Sequence, residues 1–209
     1  MTILSLLEGA RQYPVFSLAD CQQWFPRSQR ATLILQLSQY VTRGHLIRLK
    51  RGLFALKIQP SPHPFVIASR LDPQSVVSLE TVLHQSGMIP EVTFAVTAVT
   101  PTKTHQFHIP SMGSFLFRHI KPSLFFGWEL KEYHPYTVRV ACPEKALLDL
   151  FWFHRFEKDP VGYIHELRLS IPKKFSWEHF IEYSRQYVHP QLESLVRTLL
   201  QRYKKKTSV

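Results

Sequence analysis

The stretch from Ser28 to Leu56, SQRATLILQLSQYVTRGHLIRLKRGLFAL, leaves the chain few ways to fold. Apolar residues at Ile34, Leu37 and Val41, with Tyr40 beside them, recur at helical spacing and predict a helix with one face to bury. Ser28, just after Pro26, is expected to cap its start by accepting a bond from an orphan N–H. Gly44 supplies the left-handed residue that ends many helices. Leu46 to Leu49 then reads as a strand, Lys50-Arg51-Gly52 as a turn and Leu53 to Leu56 as the return strand. The other face of the helix offers Gln29, Arg30, Thr32, Gln36, Gln39 and Arg43, hydrogen-bonding groups almost free of acids.

A polar helix followed by a hairpin with a basic tip is the reading surface of a winged helix-turn-helix. The preceding residues fit that order. Ile3 to Ala10 predicts a short amphipathic helix, and Ser17 is expected to cap a second from Leu18 to Trp24, which ends at Phe25-Pro26. The expected partner is therefore double-stranded DNA. Ser28, Gln29, Arg30, Thr32, Gln36, Gln39 and Arg43 are the candidates for the groove, and Arg48, Lys50 and Arg51 for phosphates or the minor groove. One such module reads a short half-site, so the expectation is an operator with an inverted repeat. Two copies would occupy it, as a homodimer or as monomers cooperating on DNA.

Charge supports a polyanionic partner: 26 Lys/Arg against 15 Asp/Glu give +11. Its placement says more than its total. Residues 1–58 carry 8 Lys/Arg and 2 Asp/Glu, residues 59–160 carry 9 of each, and residues 161–209 carry 9 and 4. Cys21 and Cys142 are the only cysteines, with no repeated spacing, which argues for a reducing compartment and against a disulfide scaffold or zinc site. With no basic leader and no run near the roughly 20 apolar residues a membrane helix needs, the expected location is cytoplasmic, with no membrane partner.

Lys57 to Pro64, KIQPSPHP, reads as an extended linker and the best domain boundary. The predicted domains are thus 1–58, the DNA-binding module, and 65–209, an α+β effector domain. Within the latter, Phe65 to Arg70 reads as helical and Ser78 is expected to cap a helix through Gln85. Thr93 to Thr100, His105 to Ile109, Ser114 to Ile120, Phe125 to Glu132 and Thr137 to Ala141 read as strands of a mostly antiparallel sheet. Cys142-Pro143-Glu144 opens a helix, KALLDLFWFHR, with almost no polar face. Its Asp149 reads as a structural carboxylate paired with Arg139 or Lys145. Helices then follow at Tyr163 to Leu169, Ser176 to Tyr187 and Pro190 to Tyr203, before the tail Lys204-Lys205-Lys206. The expected fold class is α+β, an N-terminal winged helix-turn-helix followed by a mixed sheet-and-helix domain with a helical C-terminal end.

The stretches GHLIRLKRGLFAL, SLETVLHQSGMIPE (Ser78 to Glu91) and PEKALLDL (Pro143 to Leu150) resemble the AbiEi-type antitoxins of abortive-infection, type IV toxin–antitoxin systems. The likeness covers most of residues 1–155, and PEKALLDL is its most specific part. Phe54 departs from it, since such wings usually carry Tyr. The resemblance implies a cytoplasmic bacterial repressor that controls its own operon and counters a nucleotidyltransferase-like toxin. It equally admits a stand-alone transcriptional regulator without a toxin.

No Gly-rich phosphate loop, nucleophile elbow or HExxH is present, so no enzyme activity, cofactor or metal is expected. His105 and His108 are three apart on a predicted strand and point to opposite faces. The alternative enzyme reading is a metal-dependent nuclease built on Glu129 and Lys131, an acid-x-Lys pattern on a strand, with Asp72, Glu80 or Glu91 as a further acid. A protein-interaction scaffold is a third class. The uneven placement of the charge favours DNA binding over it.

Overall fold

The protein, described for residues 1–91 and 93–203 by a computed structural model, is α+β and divides into two units. The first comprises Met1–Pro73 and Lys131–Val138, the second Gln74–Leu130 and Arg139–Val209. The Lys204-Lys205-Lys206 tail lies outside the described residues.

In the first unit α1 (Ile3–Ala10) is followed by β1 (Val15–Ser17) and α2 (Leu18–Trp24). Ser17 and Asp20 form a capping box on α2: Ser17 Oγ accepts from the Asp20 N–H at 3.2 Å, and Asp20 Oδ2 accepts from the Ser17 N–H at 2.6 Å. The turn Phe25–Gln29 leads into α3 (Arg30–Thr42), then β2 (Leu46–Lys50) and β3 (Leu53–Leu56). The three strands form an antiparallel sheet in the order β1-β3-β2. Helices and sheet close on one core that includes Leu6, Phe16, Cys21, Leu33, Leu37 and Phe54.

The expected linker does not end this unit. α4 (Pro64–Leu71) belongs to it, with Arg70 paired to Asp20 at 3.0 Å. So does the segment 131–138, whose Tyr136 hydroxyl accepts from the Val15 N–H at 2.7 Å and donates to the Val15 carbonyl at 2.9 Å. The Pro-rich stretch is irregular, with a bend at Gln59-Pro60, and it runs within the unit.

The second unit contains β4 (Val76–Val77), α5 (Leu79–Gln85), β5 (Ala95–Thr100), β6 (His105–Ile109) and β7 (Gly113–His119). Residues 128–130 of β8 (Trp128–Tyr133) and 139–141 of β9 (Tyr136–Ala141) also fall in this unit, and the two strands complete a six-stranded sheet in the order β6-β7-β5-β4-β9-β8. It is mixed rather than mostly antiparallel, because β7 runs parallel to β5 and β4 parallel to β9. The two-residue β4 is too short to show in the sequence, yet it sits between β5 and β9 and accounts for the second of these parallel pairs.

α6 (Pro143–Phe153) is buried on most sides, as its composition predicts. Asp149 pairs with Lys145, one of its two expected partners, and both are fully buried. It also accepts from the Ser78 hydroxyl at 2.7 Å and the Tyr187 hydroxyl at 2.8 Å. Ser78 stands at the cap position of α5 without capping it: its hydroxyl donates to Asp149, and the Thr81 N–H donates to the Thr97 hydroxyl at 3.1 Å instead. Gly127 allows the lysine its place: a Cβ there would lie 3.0 Å from Lys145 Cγ, and its φ is +69°. α7 (Pro160–Glu166), α8 (Trp177–Ser184) and α9 (Pro190–Tyr203) follow. α7 begins earlier than predicted because Asp159 accepts from the Gly162 N–H at 2.9 Å and caps it. Among the described residues no helix is long and apolar enough to cross a membrane.

Candidate nucleic-acid interface

α3 ends as its sequence predicts and starts one residue later than the expected cap implies. At the C-terminus the Gly44 N–H donates to Val41 O and the His45 N–H to Tyr40 O, a Schellman pair with Gly44 at φ +75°. At the N-terminus Gln29 holds the cap position without a side-chain bond. Ser28 instead lies in the preceding turn, its N–H donated to Phe25 O at 3.0 Å.

Leu37 and Tyr40 are buried as expected, but Leu33 completes the buried face of α3 in place of Ile34 and Val41. Both sets have helical spacing, so the run Leu33-Ile34-Leu35 hides the phase, and packing against α2 and β2 chooses it. Ile34 is left 45% exposed and Leu35 66%, while Val41 is half-buried at the core edge. The shift carries Gln36 to the flank of the core. It is half-buried there, with Oε1 enclosed and no hydrogen-bond partner among the described residues. The outward stripe is then Ala31, Ile34, Leu35 and Ser38, at i, i+3, i+4 and i+7, with Thr32, Gln39 and Thr42 exposed beside it.

The expected cations divide in the same way. Arg30, Arg43, Arg48 and Arg51 are exposed. Arg30 Nη1 donates to Gln22 Oε1 at 3.4 Å, bridging α2 and α3. Arg48 Nη2 donates to Ser38 Oγ at 2.8 Å, and its guanidinium lies 5.8 Å from the Phe54 ring centroid. Phe54 is buried in the core. Lys50 is the exception. It belongs to β2 rather than the turn, and its ammonium donates to the Leu71 carbonyl at 2.7 Å. The tip is only Arg51-Gly52, and the Gly52 carbonyl accepts from the Leu18 N–H at 2.9 Å.

Sequence reasoning missed Ala31, Ile34, Leu35 and Ser38 on the outward stripe, and Arg27, exposed in the turn before α3. A signal for Arg27 was present: from Arg27 to Lys57 the chain has seven Lys/Arg and no Asp or Glu. Elsewhere, burial pushes the Cys21 and Cys142 thiols up to about 12. The hydrogen bond from Arg168 holds the Glu91 carboxyl below its usual range. Glu129 is exposed on β8 and Lys131 half-buried. Among the described residues no group of three or more His, Cys, Asp or Glu is arranged to hold a metal ion. No protein-family model matches the chain, and no curated protein matches its sequence.

Proposed function

We propose that the first unit is a winged helix-turn-helix that binds double-stranded DNA in a sequence-dependent way. In this reading α3 enters the major groove and the β2–β3 hairpin lies beside the backbone. The observation that carries it is the outward face of α3. That face is free of acids and bordered by the exposed cations Arg30, Arg43 and Arg48. Such cations displace the counterions condensed on a duplex, and an unpartnered helix face is free to meet base edges. The order of α2, turn, α3 and hairpin supports the same assignment.

The chain then acts as a transcriptional repressor of its own operon, two copies occupying an inverted repeat. The second unit, which DNA recognition alone does not require, counters a nucleotidyltransferase-like toxin, as the resemblance to AbiEi-type antitoxins implies. Electrophoretic retardation of the duplex upstream of the chain's own gene tests the first part. Sequence-dependent retardation that weakens steeply with salt is expected. Equal affinity for unrelated duplexes overturns it. Co-expression with the neighbouring gene product tests the second part: rescue of growth is expected, and unrelieved toxicity overturns the antitoxin role.

A further inference from the structure

The outward stripe of α3 is poor in groups able to hydrogen-bond a base. Ala31, Ile34 and Leu35 have none. The Ser38 hydroxyl accepts from Arg48 at 2.8 Å and the Thr42 hydroxyl donates to the Ser38 carbonyl at 3.2 Å, so each is tied in orientation by a bond within the protein. Thr32 and Gln39 are not so tied, and both lie on one edge of the stripe. Two branched aliphatics, 45% and 66% exposed, thus lie midway along it, one on either side of the Ala31–Ser38 line. They stand inside an acid-free run of seven cations, which selects a polyanionic occupant over an apolar protein surface.

Of the groups that the four bases show in the major groove, only one is apolar, the C5-methyl of thymine. We propose that Ile34 and Leu35 read thymine methyl groups, so that the centre of each half-site is A·T-rich. Gln39 follows Leu35 by one helical turn and suits the N6/N7 edge of an adenine beside that thymine. The inference rests on the DNA-binding reading of α3 and adds the class of base it recognises. It replaces a polar code, expected from Arg30, Gln36 and Gln39, with a largely apolar one.

The test uses the full chain and duplexes selected by it from a randomised pool. Each thymine of the enriched site is replaced in turn by deoxyuridine, which removes the methyl and leaves every hydrogen-bonding group. Affinity is expected to fall about fourfold at each methyl covered. Leu35→Ala and Ile34→Ala are each expected to bind the thymine duplex correspondingly less well and to become indifferent to uracil at the thymine that the lost side chain covered. The uracil series needs no altered protein, so it stands even where a variant folds poorly. An enriched duplex indifferent to uracil overturns the methyl reading alone, as does an Ile34→Ala/Leu35→Ala chain that keeps the uracil penalty at every thymine. A gain on cytosine 5-methylation without a uracil penalty overturns thymine as the target. Loss of self-association in Leu35→Ala with unchanged DNA affinity overturns it in favour of a second copy on this face. Failure to enrich any duplex overturns the DNA-binding reading itself.

Discussion

Arg48 Nη2 donates to the Ser38 hydroxyl at 2.8 Å, fastening an exposed cation of β2 to the outward stripe of α3. Helix and hairpin thus present their polar groups as one surface. Arg48→Ala is expected to leave stability within about 0.5 kcal/mol, since both side chains face solvent. It is also expected to reduce the salt slope of duplex binding by about one unit. Ser38→Ala keeps the charge, so the slope should stay while affinity falls. Binding titrations over a range of salt concentrations decide the matter. An unchanged slope in Arg48→Ala would remove this arginine from the interface.

Lys50 and Arg51 are neighbours with opposite duties. The Lys50 ammonium is spent on the Leu71 carbonyl at 2.7 Å, whereas Arg51 is exposed at the hairpin tip. Lys50→Met is expected to lower stability by about 1–2 kcal/mol and leave the salt slope unaltered. Arg51→Ala should do the reverse, with a slope smaller by about one. Thermal melts and salt titrations on both variants separate the roles; matching slopes would return Lys50 to the DNA-facing set.

What was legible in the sequence is what short-range chemistry decides. The capping side chains of Ser17 and Ser176, and the Pro143 and Pro190 that open α6 and α9, act within a few residues of themselves, and each helix begins where they place it. The phase of α3 was not legible, because two interleaved apolar stripes satisfy the same period and only the neighbouring elements distinguish them. The outward residues inherited that error, so Ile34 and Gln36 exchanged faces. Nor was the extent of the first unit legible, since its boundary depends on pairings 50 and 121 residues apart in sequence.

Asp149 joins three elements of the second unit through one carboxylate. Its carboxylate is fully buried and receives Lys145, Ser78 and Tyr187. Asp149→Ala strands the lysine charge without a counterion and is expected to cost about 3–5 kcal/mol. Replacing both partners, Lys145→Met with Asp149→Leu, should recover much of that loss, because no uncompensated charge remains. Denaturant unfolding of the three proteins gives the comparison. A double variant as unstable as the single one would mean that the hydroxyls of Ser78 and Tyr187 matter more than the ion pair.

His63 adds a pH dependence of defined sign. Burial holds its imidazole below the ordinary value of 6.5, and its Nδ1 accepts from the Phe65 N–H at 3.2 Å, a bond only the neutral ring makes. Between 6.5 and the lowered folded value the unfolded chain binds the proton more readily. This contribution to stability is therefore complete above 6.5 and is lost as pH falls from there toward the folded value. His154 is also lowered, first by burial and then by Arg118, and adds in the same direction. His63 is the cap residue of α4, so His63→Asn should keep the cap and flatten the slope of Tm against pH in this window. A slope unaffected by the change would assign the whole effect to His154 and other groups.

The last prediction concerns where the chain divides. A cut in the Pro-rich stretch, giving residues 1–58, discards Arg70, the partner of Asp20 at 3.0 Å, and the Leu71 carbonyl that holds Lys50. It also discards Tyr136, whose hydroxyl both accepts from and donates to Val15 on the edge strand β1. Among the described residues no second strand lies beyond β1 to satisfy those groups, because the sheet order ends there. A fragment of residues 1–73 keeps the first two pairings and loses only the third. The expected order of stability is the intact chain, then 1–73, then 1–58. Tyr136→Phe in the intact chain should cost about 1–3 kcal/mol by leaving the Val15 groups unpaired. Amide spectra and thermal melts of the fragments supply the measurement. If 1–58 proves as stable as 1–73, α4 is a passenger and the Pro-rich stretch is the boundary after all.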